Sequence, residues 1–288
     1  MLKAKTPEKT EKRLKLFCFG QAGIGKTTAA IQFPKAYVID TERGTNQYSE
    51  TIKNAGSVVL QTNNIDEIRE ELKALLTEKH EYRTLVIDPI TQIYNQVQEK
   101  WNRIFESVDK KNSNTQDFGM RYWSRVKSDF KSIQRLILQL DMNVIVTAHQ
   151  KDQYGQGMTK IGVTFDSMKG DDYFFDYIFR LELSNNLRKA ITIKERAEIG
   201  QQKFPESFEW SYDAFTKFYG KDIIERESKP VSMATQEQVL NIVDLLSRVK
   251  VDDDWEQKVF TKADVERWDE MTGEQIGKAI EFLQKKIK

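Results

Sequence analysis

The chain of 288 residues has a single cysteine, Cys18, so it cannot close a disulfide on itself. Cys18 lies inside the apolar run 14–19 and reads as a small core side chain in a reducing compartment. No stretch approaches the roughly 18 apolar residues that a membrane-crossing helix needs, so no membrane role is expected. Residues 1–15 are basic and polar, with no apolar segment and cleavage signal behind them, so no secretory leader is expected. Internal repeats and low-complexity tracts are also missing. Net charge is only +1, too small to point to a partner. Acids outnumber bases after residue 234, while the body leans slightly basic. That contrast fits nucleic-acid binding by the body, and it also fits chance. These limits describe a cytoplasmic protein with one large domain, or one large and one small.

What is present is an alternation of apolar strands and amphipathic helices. Residues 14–19 read as a buried strand, followed by a glycine-rich turn and a helix from Lys26 that ends near Pro34. Further strands are expected at 36–39, 57–60, 84–88 and 143–148. Helices are expected over 65–76, with Asn63 or Asn64 as N-cap, over 90–105, and along 123–140. Residues 109–118 read as a loop, and 151–172 as a long polar segment of no regular structure. Strands at 177–183 and 190–194 flank an Asn-Asn turn. This order predicts an α/β fold with a mostly parallel central sheet and helices on both faces. The expected division is a flexible arm over 1–13, a core over 14–220, a linker over 221–233 and a small helical domain over 234–288. Two capping boxes, Thr235 with Gln238 and Thr272 with Gln275, mark helix starts in the last segment.

The chemistry is carried by Gly20-Gln21-Ala22-Gly23-Ile24-Gly25-Lys26-Thr27, followed by Thr28, which fits G-x-x-x-x-G-K-[ST] in the strand-to-helix context that pattern requires. Glycines let the loop turn its N–H groups inward onto phosphates, and the positive end of the helix adds to the attraction. Lys26 would neutralise β- and γ-phosphate charge, and the Thr27 hydroxyl would ligate Mg²⁺. The cofactors expected are therefore ATP and Mg²⁺. Asp88, closing an apolar strand, sits where parallel sheets bind ligands and would hold Mg²⁺; the plainer reading is a cap for the helix after it. Glu42, just past the second strand, could orient the water that attacks the γ-phosphate, or it could be a solvated loop acid. His149 and Gln150, after the strand at 143–148, could report on the γ-phosphate, although a lone histidine is commonly structural.

Taken in order, these residues resemble the RecA-like P-loop ATPases, most of all the small RecA-core ATPases of phage recombination modules that act in single-strand annealing and strand pairing. The resemblance spans about residues 14–220. It implies a Mg-dependent ATPase, stimulated by DNA, that works as a homo-oligomer on single-stranded DNA. A single-strand-binding protein or another replication or recombination protein would be its partner. It assigns the catalytic glutamate to Glu42 and the sensor pair to His149 and Gln150. The segment after Gln150 becomes a DNA-binding loop, with Lys151, Lys160 and Lys169 against phosphates and interleaved aromatics against bases. It also puts Lys194 and Arg196 where basic residues reach a neighbouring subunit's nucleotide; an edge strand made soluble by its charges is the plainer account. Two rival functions stand beside this one: a hexameric helicase or helicase loader, and an ATP-regulated scaffold whose turnover is incidental.

Overall fold

The computed structural model of the protein describes residues 13–109, 115–196 and 202–287. The first half of the core runs β1 (Lys15–Gly20), α1 (Lys26–Ala30), β2 (Ala36–Asp40), α2 (Ser49–Asn54), β3 (Val58–Gln61), α3 (Ile65–Thr77) and β4 (Thr84–Asp88). Two long helices follow, α4 (Ile90–Asp109) and α5 (Thr115–Gln139), then β5 (Asn143–Tyr154) and β6 (Lys160–Phe165). The core closes with β7 (Tyr177–Ser184), β8 (Leu187–Glu195), β9 (Ser207–Glu209), α6 (Tyr212–Tyr219) and α7 (Lys221–Glu225). The remaining helices are α8 (Gln236–Arg248), α9 (Trp255–Ala263) and α10 (Gly273–Ile287).

The strands form one mixed sheet in the order β3-β2-β4-β5-β1-β7-β8-β9. From β3 to β7 the pairing is parallel; β8 and β9 add on antiparallel. Alternate residues of each buried strand feed opposite faces, as a period of two demands. Phe17, Phe19, Ile39, Leu85, Ile87, Val144 and Val146 pack under α3, α4 and α5 in one apolar layer. Leu16, Cys18, Val38, Val86 and Ile145 pack against α1, α2, α6 and α7 in the other. The expected mostly parallel sheet with helices on both faces is therefore present. Cys18 is buried in the second layer, which pushes its thiol well above the usual range.

Most expected element boundaries hold within a residue or two, and Asn64 is the N-cap of α3, accepting from Asp66 N and Glu67 N. Asn185 and Asn186 both take the left-handed conformation (φ 52° and 61°) of a two-residue hairpin turn. Helix α1 stops at Ala30 rather than near Pro34, β8 begins at Leu187 rather than at 190, and three longer stretches differ. The expected loop at 109–118 is shorter, because α5 begins at Thr115; residues 110–114 lie outside the described part. Residues 151–172 are largely ordered: β5 continues to Tyr154 and β6 returns antiparallel beside it, pairing Gln150 with Phe165. The outer part of this hairpin leaves the sheet with both faces in water, so the apolar alternation that signals a strand is missing. The supposed linker contains α7, whose Ile224 is fully buried, and Asn143 Nδ2 donates to Ile224 O at 2.7 Å.

Of the expected arm, residues 1–12 lie outside the described part, and Arg13 is buried. Its guanidinium pairs with Asp141 at 2.8 Å and donates to Arg226 O at 2.8 Å. Beyond Arg226, α8 to α10 enclose an apolar cluster of their own, around Ile242, Phe260, Trp268, Ile276 and Leu283. Both capping boxes form there: Gln238 N and Gln275 N donate to Thr235 and Thr272 hydroxyls at 3.1 and 3.2 Å.

Candidate nucleotide-binding site

Strand β1 delivers its last residue, Gly20, against β7 so closely that a Cβ there would lie 2.7 Å from Leu181 O. The chain then turns through Gly23 (φ 73°) and Gly25 (φ 90°), conformations that side chains disfavour. Helix α1 starts at Lys26 with Gly25 as its N-cap. Lys26 Nζ donates to Gly20 O at 3.0 Å and Gln21 O at 2.8 Å, so the ammonium lies across its own loop. Burial lowers the pKa of Lys26, against the pull of the Asp88 and Glu42 carboxylates.

Asp88 is buried at the end of β4. Thr27 Oγ1 donates to its Oδ2 at 2.5 Å, and the Thr147 hydroxyl of β5 donates to Oδ1. Both oxygens thus face hydroxyls from other elements. Burial raises the Asp88 carboxyl, while the Thr147 and Thr27 hydrogen bonds and Lys26 oppose the rise. Among the described residues there is no cluster of three or more His, Cys, Asp or Glu suited to a metal. A hydroxyl beside one carboxylate is nonetheless the donor set that suits Mg²⁺ shared with phosphate oxygens and water.

Asp40 shapes the neighbouring turn. Its buried carboxylate accepts from Glu42 N and Gly44 N at 3.1 Å each, from Thr45 N at 2.9 Å and from Thr45 Oγ1 at 2.5 Å. That turn sets Glu42 over the cavity. Gln92 Nε2 at the start of α4 donates to Glu42 Oε1 at 2.5 Å, and His149 Nε2 lies 3.1 Å from the same carboxylate. The cavity between these groups holds about 220 Å³ and is lined by Ala22, Gly23, Gly25, Lys26, Thr27, Asp40, Glu42, Gly44, Tyr48, Asp88, Pro89 and His149. Thr28 is not among the lining residues; its hydroxyl donates to that of Tyr48 at 3.2 Å.

The loop with Thr27, Asp88, Glu42 and His149 therefore converge, although they come from four separate stretches of chain. Gln150 does not line the cavity; successive strand residues point to opposite faces, so only one of the pair can. Two of the three lysines expected at the DNA are engaged in ion pairs. Lys151 pairs with Asp166 at 3.0 Å and Lys160 with Asp152 at 2.8 Å, while Lys169 is exposed. Lys194 donates to Asp172 O, and Arg196 pairs with Asp176 at 3.1 Å. Lys194 and Glu195 pair with the first residues of β7, level with the start of β1, at the sheet end away from the loop. Asp40, Gln92 and Thr147 join the site without having been expected there. A lone hydroxyl in the apolar strand ending Val-Thr-Ala was a usable signal for Thr147; Gln92 carries none.

Fold and loop together define a P-loop nucleotide-binding α/β protein. A family model described as an AAA domain matches residues 12–200, and the chain belongs to that family. Among solved structures, the crystal structure of the RadB recombinase is similar over 63% of this chain and 81% of that one, at 19% identity and a TM-score of 0.38. No curated protein matches the chain by sequence.

Proposed function

We propose that the protein is a Mg-dependent ATPase whose nucleotide state is passed to the β5–β6 hairpin, and that single-stranded DNA binds there. The observation that carries the reading is the convergence of Lys26, Thr27, Asp88 and Glu42 on one cavity behind a phosphate loop. Lys26 leaves Gly20 O and Gln21 O to meet the β- and γ-phosphates. Thr27 and Asp88 would hold Mg²⁺, which would supply charge neutralisation at the phosphates. Glu42, braced by Gln92 and His149, orients the attacking water.

Support for a link to the hairpin comes from Thr91, the second residue of α4. Its hydroxyl accepts from His149 N at 3.0 Å and donates to Asp166 O at 2.7 Å, joining the cavity's edge to the hairpin's base. Exposed Tyr154, Met158, Ile161 and Tyr173 offer stacking and apolar contact to unpaired bases. Assembly into a homo-oligomer, with Lys194 and Arg196 reaching a neighbour's nucleotide, belongs to the same proposal. The self-paired lysines of the hairpin favour a second reading, in which an ATP-regulated hairpin recruits a protein.

The experiment is ATP turnover with and without single-stranded DNA, for the wild type, Lys26→Ala and Glu42→Gln, in Mg²⁺ and in excess EDTA. DNA should raise wild-type turnover several-fold, and either substitution or EDTA should lower it by about 10²-fold or more. Turnover indifferent to DNA favours the protein partner. Undiminished turnover in both variants removes the ATPase reading.

A further inference from the structure

One cation stands against the outer side of the nucleotide loop and has no part in the scheme above. Arg188 follows the Asn185-Asn186 turn in β8, and its Nε donates to Ile24 O at 2.9 Å. Its guanidinium lies flush on Gly25: a Cβ built there would be 2.2 to 2.4 Å from three of its atoms. Among the described residues Arg188 forms no ion pair, so no carboxylate offsets its charge. The same hairpin braces the other end of the loop, where Leu181 O lies against Gly20.

A trans peptide is planar, so the Ile24 carbonyl and the Gly25 N–H point in opposite directions. At a glycine with φ near 90° the peptide has little steric reason to prefer either orientation. A carbonyl turned inward would face the phosphates with the wrong sign; an N–H turned inward adds a donor to the anion cradle. Anchoring Ile24 O to Arg188 on the outside selects the second. Glycine at 25 therefore answers two needs, the left-handed turn and room for the guanidinium.

We infer that Arg188 is a positioning residue for the nucleotide loop: it holds the Ile24–Gly25 peptide with its N–H toward the phosphates. The inference rests on the reading of the loop as a nucleotide site. Arg188 acts through the loop, by its contacts with Ile24 O and Gly25.

The test compares the full-length wild type, Arg188→Ala and Arg188→Lys in binding of Mg·ADP and Mg·ATP by calorimetry, with the ³¹P spectrum of bound ADP and the melting temperature of each protein. Arg188→Ala should weaken both nucleotides roughly tenfold, the scale of one lost hydrogen bond to a charged group. The loss should appear in KM more than in kcat, the β-phosphate resonance should shift, and the melting temperature should hold. Arg188→Lys, which keeps a donor for Ile24 O, should recover most of the affinity and the resonance. Equal affinity and an unmoved resonance in Arg188→Ala overturn the inference and leave the nucleotide site standing. Weakened binding that tracks a fall in melting temperature, unrescued by lysine, also overturns it, because the role would then be general stability. A wild type that binds neither nucleotide overturns both readings.

Discussion

Asp88 and Asp171 are both buried carboxylates, yet only Asp88 borders the cavity. Asp171 sits behind β6, accepting from Gln134 Nε2 of α5 at 2.8 Å and from the Ser167 hydroxyl. Burial pushes its carboxyl from 3.8 to about 6, although both hydrogen bonds pull the other way. Between pH 3.8 and about 6 the native state therefore keeps a proton that the unfolded chain has lost. The stability this lends is complete below pH 3.8 and disappears as pH rises through about 6. In Asp171→Asn the term is absent. Urea unfolding should show the difference between variant and wild type moving in the variant's favour by about 2–3 kcal/mol from pH 4 to pH 7. A pH-independent difference would show that Asp171 ionises normally in the fold. Asp171 was silent in the sequence, since nothing near it announces burial. Lys26, Thr27, Asp88 and Glu42 were legible because each closes or follows an apolar strand, and a parallel sheet gathers such strand ends at one edge. Gln92 and Arg188 reach the site through folding alone, and no local pattern marks them.

At the scale of elements, the apolar strands and their helices could be read from periodicity, and the β5–β6 hairpin could not. Beyond Ala148 the strand leaves the core, so pairing rather than burial holds it, and pairing leaves no periodic trace. Its stability then depends on the few bonds at its base. Thr91 supplies two of them and is almost wholly buried. Thr91→Val keeps the shape and removes both, leaving His149 N and Asp166 O to find other partners. Each unpaired buried group costs about 1–3 kcal/mol. Amide hydrogen exchange across residues 150–165 should accelerate about tenfold or more, with Thr91→Ser close to wild type. Unchanged exchange would place the hairpin's support elsewhere. The paired lysines carry a further expectation for DNA. If bases are held by stacking, the salt dependence of binding should be shallow, with a slope in log K against log salt of about −1 or −2. A steep slope would restore the lysines as phosphate contacts.

Across the whole molecule, the final helices meet the core through charge. Arg135 of α5 reaches Glu266 at 3.5 Å and Glu270 at 3.1 Å, Ser128 donates to Glu266 at 2.5 Å, and Gln139 donates to Glu270 O at 3.3 Å. The segment after residue 234 has an apolar cluster of its own, and we propose that it can part from the core without opening either. Arg135→Ala should therefore speed proteolytic cleavage within residues 226–234 several-fold. In the wild type, 1 M salt should do the same, because it shortens the Debye length from about 10 Å to about 3 Å. Cleavage indifferent to both would mean that the apolar contacts of Val231 and Met233 with the core suffice.

The order of the sheet also has a consequence in time. β1 is made before either of its partners, yet it occupies an inner position with β5 on one side and β7 on the other. Lys15 cannot pair until Val144 has been made, and Leu16 waits longer still for Tyr177. Until then this buried strand has no neighbour, the state in which β-segments find the wrong partner. The nucleotide loop, joined to that strand, takes its final shape only when the β7–β8 hairpin closes beside it. Nascent chains cut short before residue 177 should thus carry the whole phosphate-binding sequence and still lack a finished site.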